Sequence, residues 1–150
     1  MEMNGSHMID ADRDTVWTAL NDPEVLKACI PGCKELAKTE DGGFAATVVA
    51  KVGPVKATFK GEVVLENLNP PDSYTITGEG KGGIAGFAKG GADVRLKDVP
   101  AGTLLEYDVN AKIGGKLAQL GSRLIDSTAR KLADEFFTNF SEHVGNKADA

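Results

Sequence analysis

Hydrophobic and polar residues alternate with a period of two at the start of the chain, which predicts a β-strand. One side of this strand holds Met3, Gly5, His7 and Ile9. The apolar spacing then becomes helical over Val16–Leu20, and Asp10 or Asp12 is placed to cap that helix. Asp22-Pro23 begins a second short helix, because aspartate caps well and proline is favoured at the first helical position.

Period-two alternation returns after Pro31-Gly32 and predicts about six further strands. The clearest runs from Val55 to Leu65, where apolar residues alternate with Lys, Thr and Glu, so that one face is buried and the other meets water. Four more runs begin near Phe44, Tyr74, Ala88 and Leu105. Turn signals at Asp41-Gly42, Gly53-Pro54 and Pro100-Ala101-Gly102 separate them, as expected for an antiparallel sheet.

A single long helix is predicted from about Lys116 to Val144, with Gly145 as its C-cap. At about 1.5 Å per residue it is roughly 43 Å long, which is enough to cross the whole sheet. The predicted fold is α+β helix-grip (START-like): about seven antiparallel strands wrapped around a long C-terminal helix, with two short helices after strand 1. Residues 1–147 are predicted to form one ligand-binding domain, followed by a short tail at 148–150.

Composition narrows the classes of partner. The chain has 150 residues, 41% of them hydrophobic, and a formal net charge of -5. That charge argues against a nucleic-acid partner, because such proteins carry a basic surface. No signal peptide or stretch of spanning length is visible, so we expect a cytoplasmic protein, with at most peripheral contact at the inner face of the cell membrane.

Four segments carry a more specific likeness. They are Val16–Cys33, Lys51–Val55 together with Phe59–Gly61, Gly78–Ala88, and Ala118–Ile125. On these segments the chain resembles the carbon monoxide dehydrogenase G-subunit (CoxG) family. The resemblance implies an accessory protein of a molybdenum-containing carbon monoxide dehydrogenase or related hydroxylase, acting in maturation, membrane recruitment or electron delivery. Some members carry a Pro-rich linker and an apolar tail, and the lack of one before Ala150 argues against stable anchoring.

Small side chains on the inward face predict a cavity beneath the long helix. They are Ala46, Ala50, Ala57, Gly61, Gly78, Gly90, Ala92 and Ala111. A fully packed core is the alternative, since bulky helix residues can fill the same space. The predicted ligand-binding residues are Leu26, Ile30, Val48, Phe59, Ile76, Phe87, Val94, Tyr107, Gln119, Leu120 and Leu124.

An apolar cavity suits a hydrophobic small molecule, and we expect a quinone or a lipid rather than a covalent cofactor. Tyr107 or Gln119 is placed to hydrogen-bond a quinone carbonyl. No catalytic residue is predicted, because Tyr107 is nearly the only titratable group assigned to the inward face. A cyclase- or hydrolase-like enzyme of the same superfamily is the less favoured alternative, and a protein-interaction or maturation factor without a ligand is the other.

Three further features leave alternatives open. The Gly-rich segment from Gly78 to Gly91 lacks the Gly-Lys-Ser/Thr ending of a phosphate-binding loop. Its apolar tip, Ile84–Phe87, either gates the cavity, touches a membrane, or belongs to a bend of the sheet. Cys29 and Cys33 are too few for a zinc site, so no metal is predicted. Arg123 either pairs with Asp126 or Asp134 on the surface, lies at the cavity mouth, or docks a partner protein.

Overall fold

The computed structural model describes residues 1–148, and the side chains of residues 1–145. Its strands are β1 (Glu2–Ile9), β2 (Cys33–Lys38), β3 (Phe44–Val52), β4 (Val55–Asn69), β5 (Ser73–Lys81), β6 (Phe87–Val99) and β7 (Gly102–Gly114). The helices are α1 (Arg13–Leu20), α2 (Pro23–Cys29), α3 (Lys116–Gln119) and α4 (Ser122–Ala148). The sheet is antiparallel in the order β1-β7-β6-β5-β4-β3-β2, and the long helix crosses it. This confirms the predicted helix-grip fold.

The predicted C-terminal helix differs from the observed one in two ways. The chain breaks at Gly121, whose φ of 92° lies in a region that glycine adopts readily, so α3 and α4 are separate helices. Gly145 lies inside α4, so its assignment as a C-cap is wrong. A Cβ at Gly145 would lie 3.7 Å from Asp10, an ordinary van der Waals distance, so Gly145 faces the β1–α1 connection without a clash that requires glycine. The predicted tail at 148–150 falls partly outside the described residues.

Helices α1 and α2 are fixed at one end of the sheet by caps and ion pairs. Asp12 accepts a hydrogen bond from the backbone N–H of Thr15 at 2.8 Å, as a helix N-cap does. Arg13 pairs with Asp72 in the β4–β5 turn, and its Nε lies 3.1 Å from Asp98 Oδ1 on β6. These contacts hold the two short helices over the end of the sheet where β5 begins and β6 ends.

The densest part of the core lies at this same end. The C-terminal half of α4 packs there, and Phe140 and Leu105 have 0% and 1% of their surface exposed. Further members of the core cluster are Ile9, Val16, Leu20, Cys29, Tyr74, Val94, Leu96, Tyr107, Phe137 and Val144. Toward the other end, where β3 ends and β4 begins, the inward side chains are only half-buried, including Leu124 on α4. The protein is therefore filled at one end and loosely packed at the other.

We expect substitutions of leucine by alanine to report this difference. Leu105→Ala should lower the free energy of unfolding by about 2–5 kcal/mol, because it opens a cavity in the filled end. Leu124→Ala should cost less than half as much, since that side chain is already half-exposed. Urea denaturation of both variants measures the two losses, and equal losses would show that the two ends are packed alike.

Candidate ligand site

Two rows of small residues form the inner floor of the loosely packed end. Cross-strand pairing aligns Ala46 with Gly61, Gly61 with Gly80, and Gly80 with Ala88, across four adjacent strands. In the next row toward the core, Val63 is followed by Gly78, Gly90 and Ala111. Nearly all of these positions carry one methyl group or none. Their side chains therefore extend little from the sheet toward α4.

Nothing in the described structure covers this floor at its centre. A Cβ added to Gly80 would meet no heavy atom within 4 Å, and one added to Gly61 would meet only backbone atoms of β5, at 3.4 and 3.6 Å. Folded interiors normally leave few gaps larger than a water molecule. The inner surface above Gly61 and Gly80 is therefore uncovered, and we call this open space between the sheet and α4 the hollow below.

Apolar side chains surround the hollow. Phe59 and Val48 face each other across β3 and β4, and the Phe59 ring lies against Gly82 at the start of the β5–β6 loop. Leu124 reaches Gly53 in the β3–β4 turn, where an added Cβ would lie 2.6 Å from its Cδ2. The first turns of α4 thus extend over the end of the hairpin, and the β5–β6 loop closes the side beside it.

The predicted binding residues divide into groups by their place in the structure. Val48, Phe59, Leu120 and Leu124 are half-buried around the hollow. Leu26 and Ile30 are half-buried on and just after α2, the helix that packs against both α4 and β2. Ile76, Val94 and Tyr107 lie in or against the filled core.

Two predicted residues do not face the hollow. Phe87 pairs with Lys81 and Gly114, which places it in the outward-facing register, and its ring covers Gly114. Its assignment to the inner face was wrong, because the inward positions of β6 begin one residue later, at Ala88. Gln119 is exposed at the end of α3, since the break at Gly121 turns this short helix away from the axis of α4.

Two tyrosines lie in the filled core, two inward rows beyond Gly78. Tyr74 and Tyr107 lie in one row on either side of Val94, so their backbones are roughly 10 Å apart. Both are more than nine-tenths buried, and neither hydroxyl forms a hydrogen bond within residues 1–145. Burial raises the pKa of Tyr74 far above its ordinary value, so its hydroxyl stays protonated and can donate.

The Tyr107 hydroxyl points toward β1. Its oxygen would lie 2.6 Å from a Cβ added to Gly5, the residue paired with it on β1. Burial raises the pKa of Tyr107, the charge of Asp134 raises it further, and Arg130 opposes both effects. This hydroxyl therefore lies in the part of the interior between β1 and α4.

His7 is an inward-facing titratable group that the sequence analysis did not single out. Its ring stacks on Phe137 with centroids 4.2 Å apart, and its Nε2 lies 3.9 Å from Asp134 Oδ1. Burial lowers the pKa of His7, while the nearby Asp134 carboxylate acts in the opposite direction. The alternation of β1 places His7 on the same face as Ile9, so the sequence already indicated that His7 points inward.

The structure gives no role in the ligand site to the other features noted in the sequence. Cys29 is buried, Cys33 is half-buried, and both are free thiols. Within the described part of the chain, no three His, Cys, Asp or Glu side chains cluster as metal ligands do. Among residues 1–148, no helix combines the length and apolarity needed to cross a membrane. Arg123 is exposed and, in the same residues, forms no ion pair with Asp126 or Asp134.

The family model for the G subunit of carbon monoxide dehydrogenase (CoxG) matches residues 5–145. The chain belongs to the CoxG family. A conserved protein from Geobacillus kaustophilus superimposes with a TM-score of 0.90 and 29% identity, covering 97% of this chain and 96% of that one. No curated protein matches the chain at a significant level.

More distant structures share the fold alone. A START superfamily protein from Mycobacterium smegmatis has a TM-score of 0.71 and 14% identity, over 97% of each chain. A protein from Thermus thermophilus has a TM-score of 0.71 and 15% identity, over 96% of this chain and 97% of that one. This CoxG chain is therefore a START-like helix-grip domain over nearly its whole length.

The half-buried His7 predicts a pH dependence of stability. Because the pKa of His7 is lower in the folded state, the unfolded chain binds more protons in acid, and the free energy of unfolding should fall as pH drops through about 6.5. His7→Gln should flatten the curve between about pH 7.5 and 5.5. Urea denaturation across this range measures it, and parallel curves for both proteins would contradict the assignment.

Proposed function

We propose that this CoxG protein binds one apolar molecule in the hollow as an accessory factor of a carbon monoxide dehydrogenase or related molybdenum hydroxylase. The uncovered floor at Gly80 carries the proposal, because an apolar space left unfilled in an otherwise packed domain is a ready ligand site. The family supports the accessory role. The START-like fold is compatible with an apolar ligand.

The lining favours a flat or extended hydrophobic ligand. Its walls come from Val48, Phe59, Leu120 and Leu124, and its floor from glycine and alanine. Tyr74 lies six residues from Gly80 along β5, roughly 20 Å away, so its hydroxyl is not part of this lining. A quinone fits such a space through its apolar ring and tail. A quinone would also connect the partner enzyme to an electron acceptor.

Binding rather than catalysis is supported by the inward titratable groups. Tyr74 and Tyr107 both have raised pKa values, so both remain neutral at physiological pH. His7 is stacked between aromatic rings in the filled half of the interior, away from the floor at Gly80. None of these three forms a hydrogen-bonded nucleophile and base within the described residues, as a hydrolytic site requires.

Filling the hollow tests the proposal directly. Gly80→Leu should place a side chain into the space, since the Gly80 backbone is not in the left-handed region and no atom lies within 4 Å. We expect short-chain ubiquinone to bind at least tenfold more weakly by equilibrium dialysis, while the melting temperature is unchanged or raised.

The matched control is Thr77→Leu, which adds a leucine to the exposed outer face of the same strand. It should leave quinone binding unchanged. Equal affinities for the wild type and Gly80→Leu would contradict the proposal. Native mass spectrometry of protein from its own host gives a second test. A retained apolar molecule supports the carrier role, and a bound molybdoenzyme without any such molecule favours a pure interaction factor.

A further inference from the structure

The tip of the β5–β6 loop projects one large apolar side chain into water. Ile84 is 89% exposed, the highest value among the large hydrophobic residues of the described chain, whereas its neighbour Ala85 is 4% exposed. Gly83 and Gly86 on either side have φ values of 61° and 118°, so glycine shapes the loop that presents it. A single exposed isoleucine is common on protein surfaces, so its meaning here depends on the residues around it.

Three pairs of lysines lie directly opposite each other on the outer face of the sheet at this same end. The cross-strand pairs are Lys51–Lys56, Lys60–Lys81 and Lys89–Lys112. All six side chains are exposed. Like charges at directly opposed positions destabilise a sheet, so three such pairs represent a repeated cost to folding. Lysines also protect sheet edges from aggregation, but the edges here are β1 and β2, and the Lys60–Lys81 pair lies inside the sheet on β4 and β5.

Acidic neighbours offset only part of this positive charge. Glu62 and Glu79 form the adjacent outward-facing pair, and Glu79 also lies opposite Lys89 on β6. Within the described residues, the only ion pair that these glutamates make with the six lysines is Lys81 Nζ to Glu79 Oε1, at 3.9 Å. Six lysines thus face two glutamates on this part of a chain whose net charge is -5. Lys116 and Arg123 are exposed nearby, around the α3–α4 break, and add two more positive charges.

The opposite end of the sheet carries several carboxylates. Asp12 and Asp14 lie at the start of α1, and Asp72 and Asp98 share the guanidinium of Arg13. The exposed isoleucine lies instead at the end that carries the three lysine pairs. An exposed apolar side chain at a lysine-rich end is a combination that binds at the interface of an anionic bilayer.

We propose that the β5–β6 loop and the three lysine pairs form a docking surface for an anionic lipid bilayer, with Ile84 inserted among the acyl chains. A bilayer fits better than an acidic protein, because the apolar contact is a single protruding side chain rather than a patch. The lysines are also spread over five strands, from β3 to β7. They match a diffuse negative surface rather than discrete carboxylates.

This surface borders the hollow, and its role in ligand exchange rests on the proposed function. The Phe59 ring at the wall of the hollow lies against Gly82, at the base of the loop that carries Ile84. A molecule docked through this loop holds the hollow next to the bilayer, where a quinone or lipid resides. The docking itself requires no ligand, so it is tested with vesicles that contain no quinone.

Sedimentation with vesicles of phosphatidylglycerol and phosphatidylcholine in equal parts provides the test. We expect the wild type to bind these vesicles, to bind pure phosphatidylcholine vesicles far more weakly, and to lose affinity as salt is added. Ile84→Ser should weaken binding roughly tenfold, because the inserted side chain is lost. Lys60→Gln combined with Lys81→Gln should weaken it by roughly fivefold for each lysine removed.

The chain offers matched controls for both changes. Leu68 is 54% exposed near the β4–β5 turn at the acidic end, so Leu68→Ser should leave vesicle binding unchanged. Lys38→Gln combined with Lys131→Gln removes two exposed lysines outside the surface and should have little effect. Circular dichroism of every variant checks that the fold is retained.

Each outcome decides the proposal. Loss of binding in the loop and lysine variants, with the controls unaffected, supports it. Equal losses in test and control variants, or no binding of the wild type to phosphatidylglycerol, overturns it. If the wild type ignores vesicles but captures the purified partner molybdoenzyme in an Ile84-dependent manner, the surface is a protein interface and the bilayer assignment is wrong. Quinone affinity in detergent reports on the hollow separately.

Discussion

The packing of the last turns of α4 against the core is the interaction on which the rest of the structure depends. Phe137, Phe140 and Val144 are buried among side chains from β1, β7, α1 and α2. Because the hydrophobic stabilisation is concentrated there, the first half of α4 can cross the sheet without being packed tightly against it. The hollow is thus a consequence of anchoring a long helix mainly at one end.

The division into inner and outer faces could be predicted from the sequence, because alternation fixes it wherever one face is buried. The 15-residue strand β4 shows this over nearly its whole length. Strand β2 could not be located in the same way, since it is a six-residue edge strand whose register shifts between Cys33 and Glu35. The break at Gly121 was also missed, because Leu117, Leu120 and Leu124 continue a helical spacing across it.

The position of the hollow along the sheet could not be predicted from alternation. Periodicity distinguishes inside from outside, but it does not say which part of the inside is filled. That depends on where α1 and α2 lie: Arg13 ties α1 to Asp72 and Asp98, and α2 packs against α4 and β2. For this reason Val94 and Tyr107, although correctly assigned inward, lie in the core, while Gly80, which was not among the small residues assigned to the inner face, lies beneath the open space.

The glycine and alanine floor has an evolutionary consequence. Under the proposed function, the size of the binding space depends on Gly61 and Gly80, where an added Cβ meets no side chain, so alanine or valine there alters the ligand that fits at little cost to the fold. Gly78 and Gly90 differ, because a Cβ there would lie 2.6 Å and 2.1 Å from backbone oxygens of the neighbouring strands. Selection for cargo and selection for stability would then act on different glycines of the same sheet.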